Sequence, residues 1–403
     1  MVRRMLTSAE CQRTSRRATV TRSIVAISSL VLSILAACSL TVSPGDYAQG
    51  DGDAAARVVP PVPPGGARLL LLAGQRETFN SKDNAFFIQE TAQAIVQADG
   101  TIGGFYYDRA PPLSVNRYAQ ALIEDGKVIT SGTSATRGPQ IAFAPLDTPT
   151  GALTGDWSLL APDGSVQDFS STFLVRPSLF VSMGGTESVA LEDGGTAPVW
   201  NGKVFTASID LDGHKAGGLA LLNGASLASA RGQARPLVYK DFLFAVGGRN
   251  EAGFVPDVDV SRLGADGTPG PYQATSPLPI ATRLSELTTG AGKLFALGGL
   301  VDGDHPTDKV FFATIQDDGT LGTWGEAPPL PASLALGAGL FYKDKLYYFG
   351  GIRQSIADGG GDRNDPVDTI YALDIAANGT PGAAWREVGK LPSPRGGLAA
   401  VIF

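Results

Sequence analysis

Six times along the chain an apolar run ends at a glycine or a glycine pair: LLLLAG at Gly74, VITSG at Gly132, LFVSMGG at Gly184, FLFAVGG at Gly247, KLFALGG at Gly298 and KLYYFGG at Gly350. The intervals are 58, 52, 63, 51 and 52 residues. A period near 50 marks a repeat architecture, in which each unit is too small to bury its apolar face alone and does so against its neighbours.

Each unit carries a second mark. Turn sequences recur as ADGTIGGF (Asp99 to Phe105), ADGTPGPY (Asp266 to Tyr272), DDGTLGTW (Asp318 to Trp324) and ANGTPGAAW (Asn378 to Trp385), with looser copies ending at Trp157 and Leu219. Asp-Gly and Asn-Gly between apolar runs are hairpin signals, because glycine accepts positive φ without steric cost. Each unit therefore reads as four short strands. The second ends at the glycines, the third precedes the Asp-Gly turn, and the fourth opens on an aromatic in five of six units. Such large apolar surfaces suit packing between neighbouring sheets.

The two ends of the repeat region complement each other. The last segment, RGGLAAVIF, is a first strand with no second strand after it; the first unit, RLLLLAG, is a second strand with no first strand before it. The expected fold is all-β: a six-bladed β-propeller of four-stranded antiparallel blades, the first blade closed by both termini. Closure leaves only short, protected edges.

The pattern of an Arg after a Pro-containing turn, as in LPSPRGGLAA, a second strand ending in Gly-Gly, as in KLYYFGG, and a distal Trp resembles the kelch repeat. That repeat builds the blades of kelch proteins and of the galactose oxidase central domain. The resemblance covers residues 67–403 and is fullest in the last three units. It implies the propeller fold, which hosts unrelated functions. Among them are binding and scaffolding modules and a periplasmic sialic acid mutarotase.

Residues 1–37 read as a signal peptide outside the fold. They hold six arginines and one glutamate, then an apolar run from Ile24 to Ala37. The run is short for a membrane span. It ends in Leu35-Ala36-Ala37-Cys38, which resembles the bacterial lipoprotein processing box, so Cys38 is the expected lipidation site. Residues 38–66, rich in Gly, Pro, Ala and Asp, read as a flexible tether. The expected product is an exported lipoprotein held in the outer membrane, periplasm or cell surface through its N-terminal lipid alone. Cys11 would leave with the signal, so the mature chain would carry no disulfide.

Without residues 1–37 the chain has 26 basic and 38 acidic residues, a net charge of −12. This argues against a nucleic-acid partner, which needs excess cationic charge. The expected partner of this monomeric propeller is an envelope protein or a glycan.

The chemistry-bearing residues are few. The two histidines, His214 and His305, fall in a three-to-four turn and a two-to-three loop, so alternate-end topology puts them on opposite faces. The copper centre of the galactose oxidase relatives needs a histidine pair and a cysteine-linked tyrosine, neither of which this sequence supplies. A Cys/His zinc site and a His-based nucleophile triad are equally unsupported. No metal and no cofactor are expected, and no catalytic residue is assigned. The arginines form the candidate ligand-binding set. Arg117, Arg283 and Arg395 stand just before first strands, and Arg76, Arg249 and Arg353 follow the second-strand glycines. All belong to one face, near the channel mouth. Arginine's fork suits bidentate capture of carboxylates, so the set reads either as a cationic pocket for an acidic sugar or peptide, or as clamps on loop carbonyls and the next blade. Glu77, Glu187 and Glu251 follow the same glycines. They are candidate ligand-binding acids, and would be the first acids to consider in the alternative function, a sugar-processing isomerase of the mutarotase kind. Long two-to-three loops at 75–90, 186–202 and 352–368 are further candidates for specificity.

Overall fold

The computed structural model describes residues 61–72, 74, 91–108, 117–134, 138–191, 195–356 and 362–403. The expected signal peptide, Cys38 and most of the tether lie outside these residues, as does the whole of loop 75–90 with Arg76 and Glu77.

The described residues form a six-bladed propeller. Blade 4 shows the plan most simply: Arg235–Tyr239, Phe242–Val246, Val258–Leu263 and Pro269–Thr275 form an antiparallel meander from axis to rim. Blade 5 repeats it with Glu286–Gly290, Lys293–Leu297, Val310–Thr314 and Gly325–Glu326, and blade 6 with Ala338–Tyr342, Lys345–Phe349, Thr369–Asp374 and Arg386–Lys390. Blades 2 and 3 have their innermost strands at Arg117–Glu124 and Ser171–Arg176, and each splits its outer strand in two. In blade 1 the C-terminal strand Ala399–Ile402 pairs antiparallel with Ala67–Leu72, placing Leu69 opposite Ile402.

The second strands are mostly apolar and almost wholly buried because a neighbouring blade covers each of their faces. Phe242–Val246 is buried throughout, as is Ala67–Leu72. Six of the core clusters accordingly lie one at each junction between neighbours. The cluster of Met183, Phe173, Leu243 and Tyr272 joins blades 3 and 4, and that of Leu69, Ala94, Tyr347 and Phe349 joins blades 1 and 6.

The repeat marks are junction contacts. Trp324 donates its indole N–H to Ser276 O of the preceding blade at 3.0 Å, and Trp385 does the same to Pro328 O at 2.9 Å. In the Asp-Gly turn of blade 5, the Asp318 carboxylate accepts from Thr320 N at 2.9 Å, and Gly319 sits at φ +86 with its Cα against the Phe242 ring of blade 4. A Cβ there would overlap that ring, so the glycine is required both by the turn and by the neighbour. The Gly247-Gly248 pair likewise docks on the next blade: Gly248 N donates to Thr282 O at 3.0 Å, and a Cβ on Gly247 would collide with that carbonyl.

Two of the expected long loops are corrected. Past the glycine pair, Thr186–Ala190 keeps pairing with Thr196–Trp200, and Ile352–Ile356 pairs with Asp362–Pro366. Backbone groups beyond the blade still need partners, and a two-stranded ribbon satisfies them locally.

Candidate functional site at the channel mouth

The innermost strands wall an axial cavity of about 800 Å³. In an antiparallel meander the four-to-one and two-to-three connections share one end, and at that end Gln120, Asp168, Phe169, Gln233, Arg235 and Glu286 line the cavity. Innermost strands present an unpaired backbone edge to the axis. Gln120 of blade 2 closes part of it, donating to Leu174 O at 3.1 Å and accepting from Leu174 N at 2.9 Å.

Each of the five described four-to-one connections turns into its inner strand through a left-handed residue two positions before the strand: Phe169, Gln233, Leu284, Leu336 and Gly397, with φ between 55 and 67. A bulky residue in that region is strained and marks a position worth functional attention. Leu284 and Leu336 are buried in one cluster with Leu300, Ala335 and Ile352. Phe169 is different: it is 49% exposed, at the rim of the cavity.

Phe169 belongs to an aromatic–cation cluster that blade 3 shares with blade 4. Its ring centre is 5.6 Å from that of Trp200, on the ribbon of blade 3. The Arg249 guanidinium lies 5.7 Å from the Phe169 ring and 5.8 Å from the Trp200 ring. The scaffold holds these parts closely. Gln233 N donates to Phe169 O at 2.7 Å, and Gly232 exchanges both backbone hydrogen bonds with Arg249. Gly232 also admits the Trp200 ring, which a Cβ there would approach to 3.0 Å.

The sequence-derived arginines do not converge. Arg283 donates to Gln233 Oε1 at 2.7 Å, pairs with Asp304 and stacks on Phe254 at 5.1 Å. Arg353 is exposed. Arg395 is fully buried, with Nη2 donating to Ser393 Oγ at 2.8 Å, so it offers nothing to a ligand from solvent. Arg117 opens the inner strand of blade 2, and its side chain lies outside the described residues. Glu187 is tied to Lys203 at 2.6 Å, and Glu251 is exposed. His214 packs 5.3 Å from Phe143 at the hairpin end of blade 3, while His305 Nδ1 meets Gln354 Oε1 at 2.6 Å among the loop-face ribbons. Among the described residues, no cluster of three His, Cys, Asp or Glu is placed to hold a metal.

The structure also corrects the alignment of the arginines. Arg395 O accepts from Gly351 N as Arg231 O accepts from Gly185 N and Thr282 O from Gly248 N. The counterpart of Arg395 is therefore Arg231, which sequence reasoning missed, and Thr282 rather than Arg283. Arg231 is a clamp: fully buried, it pairs with Asp259 at 2.7 Å and donates to Gly247 O and Ala245 O at 3.0 Å each. Sequence spacing allowed a one-residue slip, because only the docked carbonyl fixes the register.

One further feature of the cavity wall was not foreseen. Arg235 of blade 4 pairs with Glu286 of blade 5 at 2.6 Å, and the Glu286 side chain is 4% exposed. Burial pushes the Glu286 carboxyl above its ordinary value even though Arg235 pulls the other way. Burial also raises the Tyr348 phenol, with the nearby Glu286 carboxylate adding to the shift.

Six meandering blades, glycine pairs docked on the following blade and indoles reaching to the preceding one define a β-propeller of the kelch type. No family model matches the chain. It is similar to beta-scruin of Limulus polyphemus, a kelch-repeat protein, with 24% identity over 181 residues, which is 42% of this chain and 18% of that protein. The chain thus spans under a fifth of that relative's length. The structure of YjhT superposes with a TM-score of 0.51 at 16% identity, covering 71% of this chain and 87% of the other. At that identity the likeness shows the fold alone.

Proposed function

We propose that this propeller is a binding module that takes a glycan at the mouth of its channel. The observation that carries the reading is Phe169, a bulky residue held in left-handed backbone and half exposed at the rim of a deep cavity whose wall mixes apolar side chains with a few polar ones. The exposure of the ring, and not the backbone conformation it shares with other blades, sets Phe169 apart, and clefts with a few convergent polar groups are the usual place for small ligands. Flat aromatic faces next to amide and carboxylate side chains suit a sugar, whose ring has apolar C–H faces and a polar rim. The module would be held at a membrane through lipid on Cys38. Two acyl chains or more would make that anchoring stable. Titration calorimetry against a panel of oligosaccharides tests the reading. Saturable binding that Phe169→Ala weakens about tenfold, a loss of roughly 1.4 kcal/mol, supports it; no binding by any member overturns it. Loss of membrane association in Cys38→Ser tests the anchor.

A second reading is favoured by Glu286, a carboxyl with raised pKa beside Arg235 in the cavity wall. Such a group is fit for proton transfer in sugar isomerisation, including mutarotation. Anomer exchange followed by NMR, abolished in Glu286→Gln, would support it. An exchange rate unchanged by the protein would end it.

A further inference from the structure

We infer that the glycan at this mouth is acidic, a uronate-type oligosaccharide whose carboxylate is received by Arg249. The inference rests on the glycan-binding reading and adds the ligand's charge. Each neighbouring arginine already has an anion or a set of carbonyls. Arg231 has Asp259, Arg235 has Glu286, and Arg283 has Asp304. Arg249 forms no ion pair with any described residue, and its Nε is buried without a hydrogen-bond acceptor among them. Instead two aromatic faces, Phe169 and Trp200, flank the guanidinium. Flanking rings hold the planar cation in place without neutralising it, and a guanidinium fork matches a carboxylate in two parallel hydrogen bonds. A sugar stacked on the exposed side of Phe169 would bring an acidic substituent up to the guanidinium that lies over the same ring. The surroundings sharpen the preference. The mature chain is acidic overall, so an anionic ligand needs a local unneutralised cation, and Arg249 is one.

The test compares oligomers of galacturonate, glucuronate and mannuronate with their carboxyl-reduced neutral counterparts, by calorimetry on the wild-type chain and on Arg249→Gln. At least one acid is expected to bind tenfold or more tightly than its neutral counterpart, with the gap closing in Arg249→Gln and shrinking as salt is raised. Arg249→Lys is expected to restore part of the preference, because charge is kept and the fork is lost. Equal binding of every acid and its neutral counterpart overturns the acidic assignment while leaving glycan binding intact. Failure of all sugars, acidic and neutral, removes both. Thermal unfolding of the variants separates misfolding from a lost contact. If Arg249→Gln unfolds, Arg249→Met replaces it, and retention of the full acid preference without the guanidinium overturns the proposal.

Discussion

Arg235 and Glu286 join blades 4 and 5 across the cavity wall, Nη2 to Oε2 at 2.6 Å, with the carboxylate almost wholly withdrawn from water. Each group is tolerated there because of the other. Removing one leaves a charge that has lost its hydration and its partner. Glu286→Leu is therefore expected to cost about 3 kcal/mol in urea unfolding, and the double variant with Arg235→Leu to recover most of that loss. Additive losses would show that the two side chains do not act as a pair.

The same pair predicts a pH dependence with a definite sign. The folded-state pKa of Glu286 lies above its ordinary value of 4.5, so at a pH between 4.5 and that raised value the folded protein keeps a proton that the unfolded chain has released. Its contribution is fully present below 4.5 and is lost as pH rises through the raised value. Unfolding free energy measured from about pH 5 to about pH 8 should fall more steeply in the wild-type chain than in Glu286→Gln. Parallel curves would mean that the carboxyl titrates normally.

Arg231 and Arg283 separate clamp from rim. Arg231→Met strands Asp259, whose side chain is 1% exposed, and should cost about 3–5 kcal/mol. Arg283→Met frees Asp304, which is 57% exposed and readily hydrated, and should cost about 1 kcal/mol or less. Equal losses would show that Arg231 is no more a clamp than Arg283.

Gly319 tests whether the Asp-Gly turns are junction contacts. Gly319→Ala faces both the left-handed penalty of about 1–2 kcal/mol and the Phe242 ring. Gly292→Ala, at φ +73 with open space around it, faces the first alone. The melting temperature should drop further for Gly319→Ala; equal drops would show that blade 4 yields at no cost.

Phe169 should trade stability for binding. Phe169→Asn places a residue that tolerates left-handed backbone where a bulky one is strained, so folding stability should stay within about 0.5 kcal/mol or rise. Affinity for the glycan should fall at least tenfold. A variant that binds as well as the wild type would remove the aromatic platform from the site.

Much of the architecture was legible in the chain because it repeats. The glycine pairs, the Asp-Gly turns and the distal tryptophans are local needs of one blade, multiplied, and their spacing gives four strands per unit and six units. The apolar run Phe242–Val246 announces a strand covered on both faces, and the strand-like C-terminus anticipates the pairing of Ala399–Ile402 with Ala67–Leu72. The site was much less legible. Arg231, Arg283 and Arg395 look alike in sequence, and only the carbonyl that docks on the preceding blade tells a buried clamp from a rim residue. Phe169, Trp200 and Arg249 are separated by 31 and 49 positions, and nothing in their local sequence relates them. Blade-to-blade packing brings Trp200 and Arg249 over a connection whose backbone turns left-handed at Phe169. Glu286 sits in an inner strand like any other polar residue until blade 4 presents Arg235 beside it. Strand identity and repeat count follow from short-range sterics and periodic burial, which a sequence carries within each unit. Which charges are cancelled, which are sealed and which stay open is decided by contacts between units, and those exist only once the ring is assembled.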